Sequence, residues 1–228
     1  MKPRNLAATR KQILSAAFGE ILAHGFHATS IDAILERTTL TKGALFHQFA
    51  TKLELGYAVV DEVIGPMTMA RWVAPLASFA NPLEGILHQL ERNIGDAPQD
   101  ELNQGCPLNN LIQEMAHSDP GFQRRLRRVL EDWIDGVAAE VRRGQRSGHI
   151  RRSVKARDVA GHVVMSHEGF FGIIKGLRDK RIFRSLVASL EHYFAGISSG
   201  SRARRDRAAA RRAPPRRSAP PRRRSSAR

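Results

Sequence analysis

The amino-acid sequence predicts an all-α protein, and three observations support this fold class. Apolar residues recur at three- and four-residue steps throughout, whereas the alternation typical of strands and the Asn-Gly or Asp-Gly turns of hairpins are missing. Prolines and capping residues stand at the starts of the periodic segments. With 42% hydrophobic residues in 228 positions, the chain can bury the core of one large domain or of two smaller ones.

The first two predicted helices lie near the N-terminus. The first runs from about Asn5 to His24 and is followed by Gly25, which suits a left-handed C-cap. A short second helix begins after Thr29 or Ser30, because either hydroxyl can accept a hydrogen bond from the first helical turn. Both segments place apolar residues at helical steps, so we expect one face of each helix to be buried.

Two further threonine caps predict the third and fourth helices. Thr41 caps a third helix over 42–49, and Thr51 caps a fourth that starts at Lys52. We expect Gly65-Pro66 to end or kink the fourth helix, because proline lacks the amide hydrogen that a helix interior needs. On the third helix, the residues predicted to face the core are Leu45, Phe46 and Phe49.

The helical pattern continues beyond Pro66. Pro82, Pro107 and Pro120 each stand near a predicted helix start, where a proline costs little, and Asp119 suits an N-cap. The remaining predicted helices cover residues 67–79, 82–95, 107–117, 120–147, 155–177 and 179–197.

The net charge of +15 is concentrated at the C-terminal end. Residues 201–228 contain twelve Arg and one acid, Asp206, so they carry +11 and leave +4 for residues 1–200. Gly, Ser, Ala, Pro and Arg dominate from residue 199 onward, and such a composition cannot bury enough apolar surface to offset the entropy of ordering. We therefore predict a disordered, Arg/Pro-rich basic tail over residues 199–228, which either adds phosphate contacts or is an inert extension.

Residues 29–52 have the pattern of a helix-turn-helix followed by the start of a further helix. A recognition helix must be slim where it meets the major groove of DNA, and Gly43 and Ala44 suit that face. Lysine, histidine and threonine side chains nearby can reach phosphates or base edges. The residues predicted to contact DNA are Thr29, Thr41, Lys42, Gly43, Ala44, His47 and Lys52.

This segment resembles the N-terminal signature of the tetracycline-repressor (TetR) family. The resemblance is carried by residues 29–34, by Thr41-Lys42-Gly43-Ala44-Leu45-Phe46-His47-Gln48-Phe49 and by residues 51–55. It implies a helix-turn-helix DNA-binding domain over residues 1–52 and a helical ligand-binding and dimerisation domain over 53–198. It also implies a homodimeric repressor that binds a palindromic operator and leaves it on a small-molecule or electrophile signal.

Two positions depart from the family pattern. Thr39 stands where the family usually has glycine, and Phe46 stands where it often has tyrosine. A residue other than glycine in a left-handed conformation costs about 1 kcal/mol, so we expect the turn at Thr39 to take another form. Phe46 keeps the ring but lacks a hydroxyl that could contact a phosphate.

The resemblance further implies that the last two predicted helices, 155–177 and 179–197, form the interface of the homodimer. Each of these helices carries an apolar face. The residues predicted at the interface are Val163, Phe171, Ile174, Phe183, Leu186 and Leu190. The same stripes also fit ordinary core packing within one chain, so both interpretations stay open at this point.

An effector cavity is expected between the middle helices. Aromatic and methionine side chains suit an irregular apolar ligand, although each of them also suits a core. The residues predicted to line the cavity are Met67, Trp72, Cys106, Leu111, Met115, Trp133, His167 and Phe170. Cys106 adds a hypothesis of electrophile or oxidant sensing, because a helix N-terminus lowers the pKa of a thiol; a small buried residue is the alternative.

Other functions find little support. Charged residues interrupt every long apolar stretch, and residues 1–10 are not followed by the apolar segment of a secretory signal. No Cys/His group has the spacing of a zinc site, and Gly-x-Ser-x-Gly and Gly-rich phosphate motifs are missing.

We expect a cytoplasmic, nucleoid-associated protein without membrane, metal, cofactor or catalytic site. The expected partners are double-stranded operator DNA, a second copy of the chain and an unknown small-molecule effector. A non-specific architectural protein driven by the Arg-rich tail is the alternative function.

Overall fold

The computed structural model describes residues 6–200, which form eleven α-helices with short π- and 3₁₀-helical segments between some of them. The helices are α1 (Leu6–His24), α2 (Ile31–Glu36), α3 (Lys42–Gln48), α4 (Lys52–Val59), α5 (Gly65–Trp72), α6 (Pro82–Leu90), α7 (Gln99–Gln104), α8 (Pro107–Met115), α9 (Pro120–Arg146), α10 (Ala156–Leu177) and α11 (Phe183–Ile197). The predicted all-α class is confirmed for these residues. We call α1–α4 the head and α5–α11 the body.

The head is a small helical domain built around α1. Ile13 and Ala17 on α1, Ile34 on α2 and Leu45 on α3 are buried together in one core. Gly25 ends α1 with a φ of 84°, as the sequence predicts, because glycine adopts this left-handed conformation without a steric penalty. The order and packing of these helices are those of a helix-turn-helix domain.

The fourth helix continues past Gly65-Pro66, so the predicted helix end at this pair is corrected. A π-helical turn, Val60–Ile64, joins α4 to α5, and the amide of Gly65 hydrogen-bonds to the carbonyl oxygen of Val60. The wider π turn shifts the hydrogen-bond ladder just before Pro66, which has no amide hydrogen to donate. One helical rod of about 30 Å therefore joins the head to the body over residues 52–72.

The body is arranged around the long helix α9, which contacts α5, α6, α8 and α10. Asp119 caps its start as predicted, since the Asp119 carboxylate accepts a hydrogen bond from the amide of Phe122 at 2.7 Å. Trp133 and Val137 of α9 are fully enclosed by the neighbouring helices. The body therefore has its own apolar core, continuous with that of the head.

Several predicted helix bounds in the body are corrected. The predicted 67–79 helix ends at Trp72 and is followed by a 3₁₀ segment, Ala74–Ser78, and the predicted 82–95 helix becomes π-helical at Glu91–Gly95. The sequence pattern missed α7, a single short helix between two loops. Residues 1–5 lie outside the described residues, as does the predicted tail from residue 201 onward. None of the helices within residues 6–200 combines the length and the apolar character that crossing a membrane requires.

Candidate DNA interface and effector cavity

Ser30, not Thr29, caps the second helix of the head. The Ser30 hydroxyl accepts a hydrogen bond from the amide of Ala33 at 3.0 Å. The Thr29 hydroxyl instead donates to the carbonyl oxygen of Gly25 at 2.7 Å, and the whole Thr29 side chain is buried. The predicted contact of this side chain with a phosphate is therefore corrected: Thr29 holds the turn between α1 and α2.

The exposed face of α3 is narrow at its N-terminal end. Thr41 caps the helix by accepting a hydrogen bond from the amide of Ala44 at 3.2 Å. A Cβ atom added at Gly43 would meet nothing within 4 Å, so the backbone is open to an approaching surface there. Lys42 and His47 are both exposed on the same helix. These residues form the surface that the sequence predicts for the recognition helix.

Two positions on α3, Ala44 and Phe46, have the opposite burial to the one that the sequence predicts. Ala44 is buried, although it was expected on the slim outer face, whereas Phe46 was expected in the core and is 42% exposed. Ala44 and Phe46 lie about 100° to either side of the buried Leu45, and the core of the head covers the Ala44 side. The outer face of α3 therefore carries an aromatic ring between Gly43 and His47.

The two lysines of the predicted interface are already engaged within the chain. Lys42 Nζ lies 3.0 Å from Asp32 Oδ1, and because both side chains are exposed this ion pair contributes little stability. Lys52 Nζ donates to the carbonyl oxygen of His27 at 3.1 Å. Partial burial lowers the pKa of Lys52, and the carboxylate of Glu114 opposes this effect. Lys42 is therefore the easier of the two to redirect toward a phosphate.

The turn between α2 and α3 takes the form that the sequence predicts for Thr39. Among the described residues, Arg178 at the end of α10 is the one non-glycine with a φ in the left-handed region, at 51°. Thr39 therefore avoids that conformation. The Thr38 hydroxyl instead accepts a hydrogen bond from the amide of Leu40 at 3.2 Å.

One carboxylate from the body holds the turn at the start of the helix-turn-helix. Glu114, near the end of α8, accepts hydrogen bonds from the amides of Phe26 at 2.8 Å and His27 at 2.7 Å. Both amides belong to the loop that follows Gly25. Sequence reasoning missed this contact, because residues 26 and 114 are far apart in the chain and a single glutamate has no periodic signature.

Aromatic and charged contacts extend this junction between head and body. The rings of Phe26 and Phe122 lie 4.8 Å apart, and those of Tyr57 and Phe122 lie 5.1 Å apart. The Tyr57 hydroxyl donates to Asp119 at 2.8 Å. These contacts attach α4 and the α1–α2 turn to the start of α9.

A cavity of about 160 Å³ lies where the head meets the body. It is walled by aromatic and apolar side chains from α1, α5, α9 and α10. Of the predicted lining residues, Met67, Trp72, Cys106, Trp133 and His167 line it. Phe18 and Leu22 of α1 line it as well, although the sequence assigned them only to the buried stripe of that helix.

Three predicted lining residues are corrected. Leu111, Met115 and Phe170 do not line this cavity and are buried in the core instead. Phe171 lines the cavity, although it was predicted at the dimer interface. On α10, Phe170 and Phe171 are adjacent and face different neighbours, so periodicity alone assigns them to one broad apolar stripe.

The polar lining of the cavity comes from a few side chains. Arg71 on α5 is exposed at its edge and forms no ion pair within residues 6–200. His167 is buried among Trp72, Trp133 and Phe171, with ring centroids 4.5, 5.0 and 4.9 Å away. The His167 Nε2 atom is buried without a hydrogen-bond partner. The cavity thus combines an aromatic wall with a small number of polar groups.

Cys106 does not have the environment of a reactive thiol. Its side chain is 8% exposed, and burial raises its pKa, with a further rise from the nearby carboxylate of Glu168. The helix N-terminus acts in the opposite direction, through the amides of Asn109 and Leu108, but does not prevail. The expectation of a lowered thiol pKa is therefore corrected.

The residues predicted at the dimer interface are packed mainly within one chain. Val163, Phe171, Ile174, Phe183 and Leu190 are buried, and Leu186 is half-buried. The bulkiest apolar residues of α10 and α11 are drawn into the core of the body, which corrects their assignment to an intermolecular surface. The outward side of α10 instead carries Met165, Gly169, Gly172, Ile173, Gly176 and Leu177.

Two known protein families match the chain. The family described as "Bacterial regulatory proteins, tetR family" matches residues 13–59, and "Tetracyclin repressor-like, C-terminal domain" matches residues 82–190. The first segment contains α2 and α3, and the second contains most of the body.

Individual relatives agree with these matches. An HTH-type transcriptional regulator from the lacX 3′ region of Lactococcus lactis is 26% identical over 198 residues, covering 86% of this chain and 98% of the relative. The regulator RutR of Escherichia coli K12 is 33% identical over 154 residues, covering 65% of this chain and 68% of the relative. A crystal structure of a TetR transcriptional regulator from Chloroflexus aurantiacus has the same fold, with a TM-score of 0.75 at 24% identity over 86% of this chain and 98% of that one.

Proposed function

Because the chain belongs to the TetR family of bacterial transcriptional regulators, we propose that it is a homodimeric repressor whose operator affinity is controlled by a small molecule in the cavity. A regulatory rather than an enzymatic role follows from this family. One observation carries the proposal: the cavity is walled in part by α1, a helix of the DNA-binding head, and by α5, which the 52–72 rod joins to α4 of the head. A bacterial regulator of this kind acts on the chromosome, so we place it in the cytoplasm with the nucleoid.

We propose that α3 enters the major groove of the operator. Lys42, Phe46 and His47 lie on its exposed face, and Gly43 allows close approach of the backbone. A phenylalanine ring in the groove suits the methyl group of a thymine, and lysine suits a phosphate or a base edge. Thr41 and Lys52 lie at helix starts, where amide groups favour phosphate oxygens.

The coupling between cavity and DNA follows two routes in this proposal. Phe18, Leu22 and the α5 residues Met67 and Trp72 connect a cavity ligand directly to helices of the head. The second route is α8, which begins at the cavity beside Cys106 and ends near Glu114, the residue that holds the α1–α2 turn. A ligand that displaces either helix changes the position of α2 and α3 relative to the body.

The proposed dimer uses the outward sides of α10 and α11. Glycines at 169, 172 and 176 leave open space on α10, and exposed small residues of α11, Ser185, Ala188, Ser189 and Ala195, lie at helical steps. Small residues allow two helices to approach closely, and exposed Met165, Ile173 and Leu177 supply apolar area. Two such helix pairs would form a four-helix interface that relates two heads by a twofold axis, as a palindromic operator requires.

The test of this function begins with the DNA upstream of the gene. The full-length protein is incubated with that intergenic DNA, and a nuclease footprint is recorded with and without compounds that raise its thermal stability. We expect one short, palindromic footprint that such a compound removes. Protection without sequence preference would contradict the proposal and would favour the architectural alternative.

The basic tail and the thiol each have their own control. A variant lacking residues 201–228 distinguishes the two roles of the tail, since loss of phosphate contacts reduces the salt dependence of DNA binding.

For the electrophile alternative, Cys106→Ser is treated with the same oxidant or alkylating agent as the wild type. The burial of Cys106 leads us to expect no specific release of DNA from either protein; release from the wild type alone would favour electrophile sensing.

A further inference from the structure

Three side chains with metal-binding atoms meet beside the cavity, which two of them, Cys106 and His167, line. Cys106, at the start of α8, and His167 and Glu168, on α10, place one ligand atom each within 4.8 Å of one another. The Cys106 Sγ and Glu168 Oε1 atoms are 3.4 Å apart, and His167 Nδ1 lies 3.0 Å from the same carboxylate oxygen. Ligand atoms about 2.0–2.3 Å from one tetrahedral ion lie roughly 3.3–3.8 Å apart, so small side-chain shifts would bring the three atoms to this spacing.

The cluster has more binding capacity than its internal contacts use. His167 is 2% exposed and turns its Nδ1 atom toward the cluster. The Glu168 side chain is 16% exposed, and its Oε2 atom is buried without a hydrogen-bond partner. Within residues 6–200 no lysine or arginine forms an ion pair with Glu168, whose side-chain contacts are the Cys106 thiol and the His167 ring. A largely buried carboxylate with no fixed positive charge beside it is unfavourable, which points to a missing cation.

We propose that Cys106, His167 and Glu168 form a three-ligand site for a divalent cation of the zinc class. Sulfur, imidazole nitrogen and carboxylate oxygen are the zinc ligands of proteins. When the ion binds, the S–H bond of Cys106 breaks, its proton passes to solvent, and the sulfur donates to the metal. The thiolate and the carboxylate then balance the two charges of the ion, with the imidazole neutral.

The surroundings of the site fit this assignment. Cys106 stands at the start of α8, where the amide groups of the first helical turn favour a negative charge on its sulfur. The Asn109 side chain donates to the backbone carbonyl oxygen of Glu168 at 2.9 Å and so ties α8 to α10 beside the cluster. Cys106 and His167 both line the cavity, which gives the ion an entry path and leaves a fourth coordination position open.

Cobalt provides the probe, because Co²⁺ occupies zinc sites and its thiolate complexes absorb in the near ultraviolet. Full-length protein without a histidine tag is reduced, treated with a chelator, desalted and titrated with CoCl₂. We expect one equivalent of Co²⁺ per chain, a thiolate charge-transfer band, visible bands of a tetrahedral ion, and loss of both on addition of ZnCl₂. Absence of these bands in the wild type would overturn the proposal.

Matched variants assign the signal to the three residues. Loss of an outer-shell partner alone weakens metal affinity about 10- to 100-fold, so Cys106→Ser and Glu168→Gln should weaken it at least that much. His162→Gln, which changes a histidine of α10 outside the cluster, should bind as the wild type does. Persistence of the charge-transfer band in Cys106→Ser would refute the site.

A stability measurement separates loss of the site from loss of the fold. ZnCl₂ should raise the melting temperature of the wild type and of His162→Gln, but not that of a folded Cys106→Ser protein. An equal rise in Cys106→Ser would also count against the site. The inference is independent of the proposed regulation, since metal binding is measured without DNA or effector.

Discussion

At the scale of residues, the outer surface of the head carries the side chains that we propose to contact DNA. Phe46 is the clearest case, because a large aromatic ring is exposed on α3 beside Gly43 and His47. A ring in this position is open to the contact with a thymine methyl group that we propose. The neighbouring Leu45 is fully buried, so adjacent positions on one helix separate recognition from stability.

Replacing Phe46 by alanine tests this separation. Phe46→Ala should weaken operator binding by about 1–3 kcal/mol, roughly five- to 150-fold, because an apolar contact in the groove is lost. Its free energy of unfolding should change by less than about 0.5 kcal/mol. Fluorescence anisotropy with the footprinted DNA gives the affinity, and urea unfolding gives the stability. Leu45→Ala is the contrasting variant and should lose about 2–5 kcal/mol of stability. Wild-type affinity in Phe46→Ala would contradict the proposed orientation of α3.

Asp119 links one residue to the acid stability of the whole chain. Hydrogen bonds from the amide of Phe122 and the hydroxyl of Tyr57 hold the pKa of Asp119 below its ordinary value. A carboxylate with a lowered folded-state pKa contributes stability above the unfolded pKa of about 3.9, and this is lost as the pH falls through the folded value. Asp119→Asn, which keeps an acceptor at the N-cap, should therefore lose less stability than the wild type between about pH 5 and pH 3. Urea midpoints across this range measure the difference, and parallel curves for the two proteins would show that Asp119 has no such role.

Periodicity predicted the burial of single residues well where a helix packs against one core. It predicted burial less well where a helix packs against two different sets of neighbours. The caps at Thr41, Thr51 and Asp119 were predicted from residue type, because capping depends on local geometry. Ala44 and Phe46 exchanged places because a short helix offers too few residues to fix the direction of its buried stripe. The cluster of Cys106 with residues 167 and 168 was not predictable, since its members come from helices that only the folded body brings together.

At the scale of elements, α8 connects the cavity to the head. It begins beside Cys106 on the cavity wall, and near its other end Glu114 binds the two amides of the α1–α2 turn. A helix is stiff along its axis, so displacement at one end is transmitted to the other. The sequence predicted the helix itself, from Pro107 and its apolar spacing, but not the partner of Glu114.

Removing the Glu114 carboxylate should loosen the turn that it binds. In Glu114→Ala the amides of Phe26 and His27 lose their acceptor, which should cost about 1–3 kcal/mol of local stability. Hydrogen exchange followed by mass spectrometry should show faster exchange in a peptide that covers 24–30, with peptides of α9 unchanged. Glu114→Gln keeps one acceptor and should show an intermediate rate. Unchanged protection in Glu114→Ala would exclude this contact as a coupling element.

At the scale of the whole molecule, the outward face of α10 differs from every surface predicted for association. Its glycines meet no neighbouring atoms within 4 Å, and Met165, Ile173 and Leu177 are exposed along the same side. The all-α class and the order of domains were predictable from local patterns and from the family resemblance. The exposed face of α10 was not, because bulky apolar residues fill the core first and leave smaller ones outside.

A substitution at Gly172 tests this face without disturbing the core. Gly172→Leu adds a bulky side chain whose Cβ would meet no described atom within 4 Å, at the rim of an open cleft that can take the remaining atoms, so the fold should be retained and the close approach of two α10 helices blocked. Light scattering after size-exclusion chromatography should show a shift from dimer to monomer, with operator affinity reduced at least tenfold. Ala139→Leu, on the exposed side of α9, is the matched control and should remain dimeric. A dimeric Gly172→Leu protein would move the interface elsewhere.

The π turn at Val60–Ile64 changes the angular position of the side chains around the axis of the 52–72 rod. A π turn is the form that a helix takes when it contains one residue more than its regular ladder holds, and such a residue advances the helical wheel by about 100°. The buried residues of α4 and those of α5 therefore do not follow one continuous helical repeat, although both helices belong to one rod. A chimaera that grafts this head onto the body of a relative must preserve the residue count through the turn. Otherwise Trp72 would rotate out of the cavity wall while Lys52 kept its place.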